Sequence, residues 1–159
     1  MKQFILKLSL KETNIYRKIS VKENVGFFEL HDIIQIVFGW GNAHLHHFKI
    51  GRLVIGDYDN EDDIPPDYIY EGEANLSMIL LNETEILYEY DFGDGWKIII
   101  KLLEVKKEST ERTAEVIESF GPMLADDCGG VENLESIAKV EADVKTLNFL
   151  LDEYYQNKN

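Results

Sequence analysis

A chain of 159 residues, 45% of them hydrophobic, is long enough to bury a core, which excludes disorder as its main state. The 30 acidic residues against 16 basic ones give a formal charge of −14, which disfavours direct contact with DNA or RNA. The single cysteine excludes an intrachain disulfide, and the apolar runs are far shorter than the roughly 20 residues of a membrane span. We therefore expect a cytoplasmic protein.

The N-terminal segment alternates apolar and polar residues at 3–10 and at 15–21, which predicts two half-buried strands of a hairpin. Its even alternation and shortness distinguish it from a secretory signal peptide. In the next segment, 26–39, the apolar residues recur at helical spacing. Gly26 suits the N-cap of this predicted helix and Gly39 its C-terminal stop.

Two short strands are predicted on either side of Gly51, followed by an acidic segment at 57–73. This segment holds eight acids, no base and a Pro-Pro pair, a composition typical of a surface loop. A calcium-binding EF-hand loop would need glycine at its sixth position and glutamate at its twelfth, where the chain has Asp62 and Tyr68. The segment is therefore interpreted as a solvated loop.

The remaining sequence predicts three more strands and further helices. The strands are expected at 85–92, 95–107 and 113–120, with a helical turn at 75–82 and C-terminal helices within 131–156. Strands in hairpin order with early and terminal helices predict an α+β fold, with helices on one face of a mostly antiparallel, roll-like sheet. We expect residues 1–159 to form a single domain.

The stretch DFGDGW, 91–96, lies between two predicted strands and is typical of a hairpin turn. A three-residue loop at 93–95 would create three favourable cross-strand pairs: aromatic Phe92–Trp96, charged Asp91–Lys97 and apolar Tyr90–Ile98. A two-residue loop would lose these matches. The motif is therefore explained by the demands of a bulged hairpin.

His44 and His46 are two residues apart on a predicted strand, so both imidazoles are expected on one face. Together with Asp91 or Asp94 from the hairpin they could hold zinc or iron. The alternative is a pair of histidines hydrogen-bonded at the rim of the core. His31, on the early helix, is expected to have a surface or helix-packing role.

Cys128 lies in DDCGG, ahead of a predicted helix. A helix N-terminus would lower the pKa of its thiol, whereas Asp126 and Asp127 act in the opposite direction. A structural cysteine is favoured.

Taken in order, the segments NIYRKISV, ELHDIIQIVFGW, HLHHF, YEYDFGDGW and DDCGG resemble the plasmid pRiA-type ORF-three-like family. Members of this family also occur as passenger proteins of bacterial transposable elements. The resemblance runs from Lys7 to Leu134, and it implies a single α+β domain of roll-like architecture without an established activity. The family's marked positions correspond to Arg17, His31, Gln35, Gly39, Trp40, His44, His46, Phe48, Tyr90, Asp91, Phe92, Gly93, Asp94, Trp96, Asp127, Cys128, Gly129 and Gly130.

The chain departs from the family pattern at two places. Ile98 stands where the family usually has a histidine, so a metal or proton-transfer site there would lack one member. The approach to the Cys-Gly-Gly motif has one cysteine where the family usually has a second one upstream. This departure weakens a paired-thiol or zinc-thiolate hypothesis.

The sequence favours a binding or accessory module whose partner is an unknown protein or small molecule. The candidate contacts are Arg17 for an anion, Trp40 and Trp96 as aromatic anchors, and His44, His46, Asp91, Asp94, Asp127 and Cys128. The alternative is a metal-dependent hydrolase or nuclease-like enzyme, with a divalent metal held by His44, His46, Asp91 and Asp94. A link to mobile genetic elements, as an accessory factor, follows from the family resemblance alone.

Overall fold

The computed structural model describes residues 1–80, 85–136 and 139–158. The strands are β1 Gln3–Leu10, β2 Tyr16–Lys22, β3 His46–Ile50, β4 Leu53–Gly56, β5 Tyr68–Tyr70, β6 Glu85–Tyr90, β7 Trp96–Lys106 and β8 Ala114–Phe120. The α-helices are α1 Phe27–Phe38, α2 Leu76–Ile79 and α3 Val144–Lys158. Short 3-10 segments occupy Glu61–Asp63, Glu71–Glu73 and Val131–Ser136.

The eight strands form one sheet in the order β5-β4-β3-β6-β7-β1-β2-β8. Among the described strands, every pairing is antiparallel except β4 with β5, so the predicted mostly antiparallel sheet is confirmed. Along β1 the alternation of apolar and polar residues places Leu6, Leu8 and Leu10 in the core with almost no exposed surface. Strands β1 and β7, which are distant in the chain, pair side by side in the middle of the sheet.

Helix α1 contributes a full apolar face to this core. Gly26 precedes it in an extended conformation, and Gly39 ends it in the left-handed region at φ 87° with its N–H bonded to the carbonyl of Gln35. Both predicted helix ends are therefore confirmed. A Cβ at position 39 would also lie 3.1 Å from the carbonyl oxygen of Leu124, so glycine allows the 121–130 loop to pack against the helix end.

Helix α3 packs against α1 and β8. Its tyrosines reach acidic side chains of α1: Tyr154 donates to Asp32 at 2.8 Å and Tyr155 to Glu29 at 2.5 Å. Lys158 forms an ion pair with the same Glu29 at 3.1 Å. These contacts attach the C-terminal helix to the acidic side chains of α1.

The hairpin register predicted for DFGDGW was wrong by two residues. In the structure Tyr90 faces Trp96, Glu89 faces Lys97 and Tyr88 faces Ile98, so the loop spans the five residues 91–95. The observed register again contains an aromatic, a charged and an apolar pair, which is why side-chain matching could not choose between the two. The backbone of Asp91 decides the register, because its left-handed conformation at φ 57° ends strand β6 at Tyr90.

Other departures concern shorter elements. The acidic segment contains strand β5, which pairs parallel with β4 at the sheet edge. The helical turn at 75–82 is confirmed as α2, capped by Asn75, whose side chain accepts from the N–H of Met78; residues 81–82 lie outside the described residues. The predicted C-terminal helices within 131–156 correspond to a 3-10 segment at Val131–Ser136 and to α3, while 137–138 lie outside the described residues.

In the part of the chain that the structure describes, none of the helices has the length and apolar character needed to traverse a lipid bilayer.

Candidate functional site

The hairpin loop at 91–95 is organised by Asp91. Its Oδ1 accepts hydrogen bonds from the N–H groups of Gly93 at 3.2 Å and Asp94 at 3.3 Å, and its carbonyl accepts from Gly95 at 2.6 Å. An aspartate can adopt the left-handed backbone conformation because its short side chain bonds the turn in this way. The second carboxylate oxygen, Oδ2, is left to face His44.

The 121–130 loop is held against the end of α1 and the start of the hairpin. Leu124 donates its N–H to the carbonyl of Phe38 at 2.7 Å. Asp126 accepts from the N–H of Gly41 and from the hydroxyl of Tyr90, both at 2.7 Å. Burial, and then this bond to Asp126, raises the pKa of Tyr90, so the tyrosine stays protonated and acts as the donor.

A second set of contacts joins this loop to the hairpin turn. Asp94 Oδ2 accepts the N–H of Gly129 at 3.1 Å. Gly130 has φ 85°, and a Cβ there would lie 2.3 Å from the carbonyl oxygen of Asp94. Any larger residue at 130 would push the two loops apart. Between these anchors lies Asp127, which is held in the left-handed region at φ 59°.

These loops bring together His44, Asp91 and Asp127, which we call the His44 cluster. Nε2 of His44 lies 2.8 Å from Oδ1 of Asp127 and 3.4 Å from Oδ2 of Asp91, and one ligand atom from each residue lies within 4.8 Å of the others. The side chains are exposed to very different degrees, 10% for Asp91, 29% for His44 and 72% for Asp127. Asp91 therefore lies on the buried side of the cluster, and Asp127 lies on the side that is open to solvent.

The spacing in the His44 cluster suits a metal ion. The buried Nε2 of His44 has no partner of proper hydrogen-bond geometry among the described residues, despite the nearby carboxylates. Ligand atoms at about 2.0–2.2 Å from one ion lie about 2.8–3.1 Å apart at octahedral angles and about 3.3–3.6 Å apart at tetrahedral angles. One imidazole and two carboxylates form a donor set that is compatible with Zn²⁺, Fe²⁺ or Mn²⁺.

Two residues predicted as metal ligands lie elsewhere. His46 begins strand β3 and places Nε2 2.8 Å from Oε2 of Glu71, and Asp94 uses its carboxylate to bind Gly129. Within the described residues, neither belongs to a group whose ligand atoms converge as those of the His44 cluster do. The expected i, i+2 pairing fails because His44 precedes the strand, so strand alternation does not govern its direction. Asp127, which the sequence suggested only as a contact for a partner, supplies the third potential ligand atom beside His44 and Asp91.

Arg17 is not available as the predicted anion contact, because it is fully buried. Its guanidinium donates to the carbonyl oxygens of Val37 at 2.8 Å, Phe120 at 2.9 Å and Pro122 at 2.8 Å. Burial lowers its pKa to about 10, so it remains charged at neutral pH. Arg17 ties the end of α1 to the start of the 121–130 loop, and its role is to position the site.

The predicted aromatic anchors are also inside the core. Trp96 has no exposed surface and Trp40 has 5%. Their ring centroids are 5.3 Å apart, and Trp40 also lies 5.0 Å from Tyr90. The tryptophans therefore support the hairpin and the helix end from below instead of presenting a surface to a partner. Cys128 is half-buried, and its Sγ lies 4.0 Å from the carbonyl oxygen of Gly130.

A closed ring of hydrogen bonds lies beneath the site, and we call it the His31 ring. His31 Nδ1 is 2.7 Å from the hydroxyl of Tyr88 and Nε2 is 2.7 Å from Oδ1 of Asn42. Gln35 donates from Nε2 to the same tyrosine hydroxyl at 2.9 Å and accepts the N–H of Asn42 at 2.8 Å. The amide oxygen of Asn42 can only accept, which assigns the proton to Nε2 of His31 and makes Tyr88 a donor to Nδ1. These four hydrogen bonds link the four residues in one closed ring.

His31 is neutral in this environment. Burial, followed by the proximity of His46, lowers its pKa from the usual 6.5 to about 3. The rings of His31 and His46 are stacked, with centroids 3.4 Å apart and planes within 8°. The stack fixes the ring of His46, whose Nε2 then reaches Glu71, a carboxylate with only 1% of its surface exposed.

Sequence reasoning missed the parts played by His31, Tyr88, Asn42 and Glu71. Glu71 is one of eight acids in a segment that has the composition of a solvated loop. The Tyr-Ile-Tyr triplet just before Glu71 could have indicated a structured position, because aromatic and β-branched residues favour strands. The triplet forms β5, and the 3-10 segment that carries Glu71 follows directly. For His31 the helical period of α1 was a usable signal, because it places residue 31 next to Leu30 and Ile34 on the buried face.

The comparisons with known proteins identify one family and two similar proteins without an assigned function. The model of a family described as "Plasmid pRiA4b ORF-3-like protein" matches residues 1–154. The uncharacterized protein y4hQ of Sinorhizobium fredii is 32% identical over 120 residues, covering 74% of this chain, and the match spans only 57% of that relative's length. The crystal structure of MM3350, a protein of unknown function from Methanosarcina mazei Go1, is similar with a TM-score of 0.74 and 32% identity. That similarity covers 85% of this chain and 78% of the other.

Proposed function

This chain belongs to the plasmid pRiA4b ORF-3-like family, and we propose that it is a single-domain binding module that holds a divalent cation at the His44 cluster. The proposal is supported by the convergence of three ligand atoms from three separate loops, with Nε2 of His44 lacking a hydrogen-bond partner among the described residues. Nε2 of His44 contacts the two carboxylates at 2.8 and 3.4 Å without good hydrogen-bond geometry, and coordination of a cation by the imidazole and both carboxylates would replace these poorly aligned contacts.

The charges favour the same conclusion. Asp91 and Asp127 bring two carboxylates to one imidazole, and no lysine or arginine pairs with either of them in the described ion pairs. A formal charge of −14 adds a general attraction for cations. A bound divalent ion would reduce the repulsion between the two aspartates and fix the relative positions of the hairpin and the 121–130 loop.

The cation would also define what the module binds. Asp127 is largely exposed, so an ion held there remains accessible to an oxygen or nitrogen ligand from a partner. The surface around it is acidic, which favours a protein or small molecule over DNA or RNA. An accessory role in the biology of mobile elements, inside a reducing cytoplasm, is consistent with a partner protein of this kind.

A second function, hydrolysis at the bound cation, is favoured by one observation. Three protein ligands leave room for a water, as in catalytic zinc sites, and a pocket of about 200 Å³ that includes His44 lies beside the cluster. The cation would lower the pKa of that water. Activity towards an activated ester or phosphodiester that requires added Mn²⁺ or Zn²⁺ and disappears in Asp91→Asn would support this function.

Cation binding can be tested by calorimetry with Zn²⁺ and Mn²⁺ on protein that carries no histidine tag. We expect one ion per chain and an affinity about tenfold or more weaker in His44→Ala and in Asp127→Asn. Asp94→Asn is the matched control: it removes one nearby charge, but its amide oxygen can still accept from Gly129, so it should change the affinity by less than about threefold. If Asp94→Asn and Asp127→Asn lose affinity for the cation equally, the attraction depends only on the overall negative charge, and the proposal is contradicted.

A further inference from the structure

A pocket of about 200 Å³ lies beside the His44 cluster, between the start of α1, the residues leading into β3 and the acidic segment. Phe28 and Leu45 give it two apolar side chains, both largely exposed to solvent. His46 and Glu71 also line it. We call it the Glu71 pocket, because this carboxylate is its least exposed charged group.

Glu71 has one oxygen without a partner. Its Oε2 lies 2.8 Å from Nε2 of His46, whereas Oε1 is buried and has no hydrogen-bond partner among the described residues. Burying a carboxylate oxygen in this state is destabilising, because the oxygen has lost its hydrogen bonds to water without gaining a replacement. The stack of His46 on His31 prevents the ring from turning to serve both oxygens. A hydrogen-bond donor from a ligand would satisfy Oε1.

The surroundings of Glu71 select a cation. Asp57 and Asp59 add two exposed carboxylates to the pocket, and among the described residues no lysine or arginine lines it. The neutral His31, also part of the lining, supplies no compensating charge. The potential in the pocket is therefore negative, and it favours a ligand that carries both a positive charge and N–H donors.

We propose that the Glu71 pocket binds the primary ammonium group of a small amine. A guanidinium is best matched by both oxygens of one carboxylate, and here His46 already occupies Oε2, so a single N–H donor fits better. The carbon chain of the amine would lie against Phe28 and Leu45. The proposal does not use the divalent cation, although His44 borders both sites.

The test is an NMR titration of the protein with n-butylammonium chloride in the presence of EDTA, which removes divalent ions. We expect saturable shifts of the His46 ring and of the amides around 71–73. Tetramethylammonium has the same charge without an N–H donor, and 1-butanol has a similar chain without the charge, so neither should cause saturable shifts. This comparison uses only the unmodified chain, and its outcome is independent of cation binding at the His44 cluster.

Two variants make the test specific for Glu71. Glu71→Gln should weaken n-butylammonium binding by about tenfold or more, since it removes the charged acceptor. Asp59→Asn, which removes an exposed charge of the same pocket, should weaken it by less than about threefold. Absence of saturation up to roughly 100 mM, equal shifts with tetramethylammonium, or equal losses in the two variants would overturn the proposal.

Discussion

The His44 cluster and the His31 ring are built from similar residues and lie close together, yet they differ in how their polar atoms are used. In the His31 ring every imidazole nitrogen has a partner at 2.7 Å, and the circuit closes through Tyr88, Gln35 and Asn42. In the His44 cluster Nε2 of the imidazole faces two carboxylates and makes no well-aligned hydrogen bond to a described residue. The first arrangement is complete within the protein, and the second requires something from outside.

This difference separates a stabilising polar network from a binding site. A satisfied buried network adds rigidity, and breaking it leaves unpaired groups in a low-dielectric interior. In the His44 cluster Asp127 is largely exposed and adds little to folding, and its carboxylate can coordinate a ligand. We therefore expect substitutions in the ring to change stability, and substitutions in the cluster to change binding.

The largest effect is expected for Tyr88→Phe in the ring. Removing this fully buried hydroxyl leaves Nδ1 of His31 and Nε2 of Gln35 without their partner. At about 1–3 kcal/mol for each unpaired group, we expect a loss of about 2–6 kcal/mol in the free energy of unfolding, measured with urea. Tyr70→Phe, at a tyrosine that is 44% exposed, is the control and should change it by less than about 0.5 kcal/mol. A small loss in Tyr88→Phe would mean that the ring is not a stabilising network.

A smaller effect is expected from pH. The pKa of His31 is about 3 in the folded protein and 6.5 ordinarily, so only the unfolded chain gains this proton between pH 7 and pH 5. The contribution to stability is complete only well above pH 6.5 and decreases as the pH falls, by about 2 kcal/mol between pH 7 and pH 5. His31→Gln should lack this decrease.

The same assignment can be checked directly by NMR. In the folded protein the ring signals of His31 should not titrate between pH 8 and pH 5, because its pKa lies far below this range. A titration midpoint near 6.5 would show that His31 is protonated like an exposed histidine and would contradict the closed ring.

Much of the scaffold was predictable from local patterns. Alternation identified β1 and β2, and Gly26 and Gly39 marked the ends of α1, because each of these signals depends on residues near in sequence. The hairpin register was not predictable, since Tyr90–Trp96 and Phe92–Trp96 are equally good aromatic pairs. The turn formed by the side chain of Asp91 decides between them, and pairing preferences do not include it.

The sites were only partly predictable, because they are made by contacts between distant segments. His44 and Asp91 were recognised by residue type and by their place in the hairpin region. Glu71, which reaches His46 across 25 positions, could not be distinguished from the exposed acids around it. Arg17, Trp40 and Trp96 have the chemistry of surface contacts, and only the packing shows that they lie in the core.

The smallest effect on stability is expected in the cluster. Asp127 is 72% exposed, so Asp127→Asn should change the free energy of unfolding in EDTA by no more than about 0.5 kcal/mol. Added Mn²⁺ or Zn²⁺ at about 100 times its dissociation constant should stabilise the natural chain by about 2.7 kcal/mol. At the same concentration a tenfold weaker site gives about 1.4 kcal/mol, which is the rise expected for Asp127→Asn. If both chains gain the same stability, the ion binds elsewhere, and the contrast between an open cluster and a closed ring loses its functional meaning.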